Sequence, residues 1–177
     1  KRGGLMFCKD DYVNYSTSGI CRIEDIRFMS FGKKSAGHDY YVLKPINQNA
    51  ESIFVPADND KLTERMRPIL THEQIDEVIL SVKNDDLLWI EDRKQRTKEF
   101  KEIIARRDER ELLMLASCLY FKSKESKKGL SATDADMLKT AEEIIEQEFS
   151  FSLNLSAQNV SHYIREKLGI EDEKGGV

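Results

Sequence analysis

Cysteine, histidine and tryptophan are all scarce in this 177-residue sequence, and each shortage closes off a class of function. The three cysteines, Cys8, Cys21 and Cys118, are odd in number and far apart. They have neither the spacing of a metal knuckle nor that of a secreted disulfide framework. His38, His72 and His162 are scattered, so no Cys/His or Ser/His/Asp arrangement follows from spacing. No catalytic residue, metal or cofactor is therefore expected, and the protein is read as a non-enzyme. A Gly-x-x-x-x-Gly-Lys-Ser/Thr phosphate loop is missing too. No stretch approaches the roughly 20 apolar residues of a membrane span, and no signal peptide is evident. No membrane partner and a cytoplasmic location are the resulting expectations. A strong basic excess is also lacking: the net charge is −4, so nucleic-acid contact requires a local patch or a partner that brings the DNA close.

What is present divides into two parts with different periods. Hydrophobic residues make up 40% and charged residues 34%, enough for two modest domains. Residues 1–5 are read as a tag or leader remnant. From residue 6 to 62, short runs rich in β-branched and aromatic residues (Tyr12–Tyr15, Ile20–Phe28, Tyr40–Leu43, Ile53–Val55) alternate with turn signals at 16–19, 32–37 and 45–49. Four or five short strands in this length predict a small antiparallel β-barrel of the SH3-like or Tudor-like kind.

From Thr71 the period becomes helical. Thr71 with Gln74, Asp108 with Glu111, Ser131 with Asp134, and Ser156 each stand where a helix cap belongs, ahead of apolar stripes. The stripes include Ile75, Ile79, Leu112, Leu119, Ala141, Ile145, Val160 and Ile164. A further helix over 91–107 carries Phe100, Ile103 and Ile104. The fold class is thus α+β in two domains, a barrel over 6–62 and a domain of about five helices over 71–169. Residues 170–177 are expected to be a disordered tail.

The charge is partitioned. Thr71 to Asp92 holds seven acids and one base, net −6, whereas Arg93 to Arg107 holds seven bases and two acids, net +5. Lys94, Lys98 and Lys101 are spaced i, i+4, i+7 and share one helix face. Such a face serves either as plain solvated surface or as a phosphate-contacting surface, and the pattern alone does not decide. The single tryptophan, Trp89, stands just ahead of this segment. Its ring is either core, beside Leu87 and Leu88, or an exposed wedge of the kind minor-groove proteins use.

The order of several short motifs resembles the CarD/CdnL-like transcription regulators, whose first domain is shared with the polymerase-interaction module of transcription-repair coupling factor. The motifs are residues 10–20 (DDYVNYSTSGI), 23–26 (IEDI), 40–45 (YYVLKP) and 53–59 (IFVPADN), then Trp89 before the basic segment, and Gly129-Leu130-Ser131-Ala132 opening a helix that reaches Glu148-Phe149. The resemblance spans about residues 6–155. It implies a bacterial regulator whose Tudor-like domain binds the RNA polymerase β subunit and whose helical domain contacts promoter DNA at the upstream edge of the bubble, stabilising the open complex. Trp89 matches the family's minor-groove tryptophan, with Arg93, Lys94, Arg96, Lys98 and Lys101 as DNA-contacting residues. Arg27, Met29, Ile53 and Phe54 lie on the strands matching the polymerase-facing ones.

Two departures change the chemistry. Met29 and Phe54 align where some relatives place arginines, which substitutes apolar contact for electrostatic docking. Ile90-Glu91-Asp92 follows Trp89 where some relatives are basic, so the cations a turn later stand in. A monomer that binds promoter DNA weakly and non-specifically, held near the nucleoid through polymerase, is the expectation. The competing reading is a protein-binding adaptor with a peptide-binding barrel, no DNA contact and a buried Trp89.

Overall fold

The computed structural model describes residues 6–30, 37–46, 50–125 and 127–170. Expectations for residues 1–5, for the turn through 32–36, for 47–49 and for the tail from 171 lie outside the described residues. The chain forms two units, Lys1–Ile69 and Leu70–Val177.

In the first unit the β-branched and aromatic runs become β1 (Tyr12–Tyr15), β2 (Ile20–Met29), β3 (His38–Pro45) and β4 (Ile53–Pro56). A short helix α1 (Asp60–Thr63) and a fifth strand β5 (Met66–Pro68) follow. All five strands form one sheet in the order β4-β3-β2-β1-β5, and every pairing is antiparallel. A single 3₁₀ turn over Ser16–Ser18 joins β1 to β2, and Gly19 beyond it takes φ 67°, ψ −143°, a conformation that only glycine reaches cheaply. The Tyr15 N–H donates to the Gly19 carbonyl at 2.9 Å and closes the hairpin.

Alternation along β3 sends Tyr41 and Leu43 into a core with Phe7, Val13, Cys21, Ile23, Val55 and Met66. The buried Tyr41 hydroxyl accepts the Met6 N–H at 3.0 Å, so the phenol keeps a partner inside. The register shifts between Ile23 and Asp25, which is why alternation along β2 looked imperfect in the sequence.

Two features differ from expectation. The closed Tudor-like barrel is not what the ladders show: among the described residues β4 and β5 stand at opposite edges and do not pair. Both edge strands are very short and end in a proline, Pro56 or Pro68, which lacks an N–H to donate onward. The sheet also continues past residue 62, the expected end of the first domain, because Met66–Pro68 pairs with β1. Three residues ending in a proline are too few to show a strand period.

The described residues of the second unit form five helices: α2 (His72–Ser81), α3 (Arg93–Arg106), α4 (Glu109–Glu125), α5 (Ala132–Leu153) and α6 (Ala157–Leu168). The Thr71/Gln74 capping box forms with both reciprocal bonds, and Ser131 and Ser156 cap α5 and α6. The basic helix begins at Arg93, not Glu91, because the Asp92 side chain accepts the Gln95 N–H and serves as its cap. The apolar stripes meet in one core that includes Ile75, Ile79, Phe100, Leu112, Leu119, Phe149 and Val160. Leu70, where the unit begins, is pinned to α5 at both backbone groups. Its N–H donates to the buried Glu148 carboxylate at 2.9 Å, and its carbonyl accepts the Ser152 hydroxyl at 2.6 Å.

Candidate functional site

Residues 85–90 between α2 and α3 have no regular secondary structure, and Trp89 sits near the end of this segment. The ring is half-buried and meets Phe100 edge-on, with centroids 6.3 Å apart and planes at 66°. The Arg96 guanidinium lies 4.2 Å from its centroid and the Lys122 ammonium 5.2 Å. Trp89 is therefore neither a plain core residue nor the freely projecting surface wedge expected of it. Part of the ring is committed to the fold, through an aromatic pair and two cation–π contacts.

Arg96 departs further from expectation. It is only 7% exposed, and each of its three guanidinium nitrogens donates within the unit. Nε and Nη2 donate to the two carboxylate oxygens of Asp134 at 3.2 and 3.1 Å, and Nη1 donates to the carbonyls of Ile90 at 2.7 Å and Glu91 at 3.2 Å. Asp134 is itself buried at the start of α5, where the Ser131 hydroxyl donates to it at 2.7 Å. Burial alone would raise its pKa, but the bonds from Arg96 and Ser131 outweigh it and hold the carboxyl below the usual range. A guanidinium so buried, with four of its five N–H groups engaged within the fold, is not presented to a phosphate; it clamps the backbone that follows Trp89.

Arg93, Lys94, Lys98 and Lys101 remain exposed along α3. Arg93 makes a 3.4 Å contact to the Thr133 hydroxyl. Of the nearby acids, Asp92 is the α3 cap and Asp85 is ion-paired with Arg110, whereas Asp86 and Glu91 are exposed. Lys122, on α4, pairs with Glu125 at 3.1 Å while flanking the Trp89 ring. Sequence reasoning missed two residues here. Asp134 was visible only as a capping partner of Ser131. Leu88, at 82% exposure, belongs to no helical stripe and looked interchangeable with Leu87, which packs on the core.

In the first unit, directly opposed residues share a sheet face. Arg27 faces Tyr40, Met29 faces His38, and Phe54 faces Val42. By the two-residue period Arg27, Met29 and Phe54 therefore lie together on the face away from the core, with Phe54 46% exposed. Arg27 donates to Asp25 at 2.7 Å. Ile53 does not join them, because its opposite number is Leu43 and it packs against the core.

The remaining chemistry is sparse. Burial pushes the Cys21 thiol up to about 11, the wrong direction for a nucleophile. Among the described residues no group of three or more His, Cys, Asp and Glu side chains could hold a metal ion, and no helix is long and apolar enough to cross a membrane.

Comparison with known proteins found no curated protein that matches the chain. Residues 7–70 match the family described as the CarD-like/TRCF RID domain, a span that takes in β5 and ends one residue past the first unit. The N-terminal unit of this chain is a CarD-like/TRCF RID domain.

Proposed function

We propose that this protein is a bacterial transcription regulator that binds RNA polymerase through its first unit and promoter DNA through its second. The observation that carries the reading is the domain match over residues 7–70, a family tied to polymerase interaction. The sheet, read as a Tudor-like domain, presents Arg27, Met29 and Phe54 on its outer face to the β subunit, with two apolar side chains supplying burial and Arg27 a charge. The second unit lays the exposed Arg93, Lys94, Lys98 and Lys101 along the DNA backbone beside Trp89. Arg96 supports that surface from within.

A chain of net charge −4 binds duplex DNA weakly by itself, in the non-specific range of about 10⁻⁴–10⁻⁶ M. Docking on polymerase raises the effective DNA concentration and makes the weak contact useful. The protein acts as a monomer in the cytoplasm, held at the nucleoid through polymerase, and it stabilises the open complex at the upstream edge of the bubble.

The half-burial of Trp89 favours the adaptor reading to a degree, since an adaptor has no use for an exposed ring. The exposed Arg93, Lys94, Lys98 and Lys101 of α3 favour DNA. Co-purification of the full chain with bacterial RNA polymerase tests the docking half. Wild type is expected to retain polymerase and the Met29→Glu/Phe54→Glu variant to lose it. Equal retention by both would remove the outer sheet face from the interface.

A further inference from the structure

Leu88 is the most exposed of the large hydrophobic side chains described, at 82%. Its neighbours on both sides are anchored: Leu87 and Trp89 pack against the helical core. The two residues after Trp89 are fixed as well, because Arg96 binds the carbonyls of Ile90 and Glu91 and is itself tied to Asp134. An apolar side chain is thus held out in water from an anchored base.

We propose that Leu88 is the apolar tip that enters the DNA, and that Trp89 is the fixed base from which it projects. This inference rests on the DNA-contacting reading above. Three observations support it. Leucine is among the side chains that wedge between base steps from the minor groove. Leu88 is next in sequence to Trp89, whose ring has Lys122 beside it, and it shortly precedes α3 with its exposed Arg93, Lys94 and Lys98. An apolar tip joined to such a basic segment complements a polyanion with an unstacked step, as at the edge of a melted region, better than an apolar groove on a protein. Lastly, the tip is preorganised: a residue next to a clamped ring and two clamped carbonyls loses little freedom on binding. Asp86 and Glu91 are exposed nearby and oppose the approach of phosphates, which places the contact at the tip and along α3 and away from the backbone between them.

The test uses the full chain, bacterial RNA polymerase and a promoter fragment, and compares Leu88→Ala with a charge-reversed Lys94→Glu/Lys98→Glu/Lys101→Glu variant. Leu88→Ala should leave the melting temperature within about 4 °C, because the side chain is solvated. It should keep polymerase co-purification intact and shorten the open-complex half-life on the order of tenfold, the worth of about two buried methylene groups. Leu88→Met should retain most of the half-life. If Leu88→Ala leaves the half-life unchanged while the charge-reversed variant shortens it, the tip assignment is overturned and the DNA-contacting reading stands. If neither variant shortens it, both fall. Loss of polymerase retention by Leu88→Ala would show that the tip meets protein, which also overturns the proposal.

Discussion

Removing the Asp134 carboxylate should undo the segment that carries Trp89. In Asp134→Ala the Arg96 guanidinium stays buried, 7% exposed, with no counter-charge on α5. Breaking a buried pair from one side typically costs about 3–5 kcal/mol. For a unit of roughly 100 residues each kcal/mol moves the melting temperature by about 4–8 °C, so the helical transition should fall by at least about 12 °C. Trp89 is the single tryptophan and lies 4.2 Å from Arg96, so its emission reports on the same event.

A second variant separates charge from packing. Arg96→Met/Asp134→Leu removes both charges, so it should recover much of the lost stability. It also strips the Ile90 and Glu91 carbonyls of their donor and Trp89 of a cation, so the emission should stay altered. The pH dependence has a definite sign. The Asp134 carboxyl is held low in the folded state. Its stabilisation is therefore complete above the ordinary carboxylate range near pH 4 and is lost as the pH falls through the folded-state value. If Asp134→Ala melts within about 4 °C of wild type with unchanged emission, the clamp does not hold this segment.

Other consequences are simpler to check. Asp76 on α2 accepts from the Tyr163 hydroxyl at 2.5 Å and from Lys167 at 2.6 Å, so Asp76→Ala should loosen α6 and cost about 1 kcal/mol in a melting experiment. The bond from Asp76 raises the Lys167 pKa, so this contribution is present below about pH 10.4 and fades as the pH rises through the folded-state value. Thiol titration of the native protein should find exposed Cys8 reacting quickly. Cys21, with its thiol raised to about 11, and half-buried Cys118, also raised by burial, should react only on unfolding.

The sequence was most readable where local chemistry dominates. Thr71, Ser131 and Ser156 predicted helix starts because a cap satisfies N–H groups within three residues of itself. The strand runs were legible for the same local reason. What escaped depends on contacts between distant residues. Nothing in the spacing of Arg96 and Asp134, 38 positions apart, shows that they pair, and so Arg96 read as one more exposed cation of a basic helix. Ile53 stood with Phe54 among the residues expected to bind polymerase, although adjacent residues on a strand point to opposite faces. β5 was lost because Met66–Pro68 is a strand only by virtue of pairing with β1. Leu87 and Leu88 differ in exposure because the segment between α2 and α3 is irregular, and no period applies to it.

In the proposed function this chain, bound to polymerase, holds a promoter open. The most direct measurement is the lifetime of the competitor-resistant complex between bacterial RNA polymerase and a promoter fragment, with and without the full chain. The lifetime should lengthen with the protein present, and the effect should weaken as salt is raised, because α3 contributes through phosphate contacts. A lifetime unaffected by saturating protein that demonstrably binds the polymerase would contradict it, leaving an adaptor that docks without touching DNA.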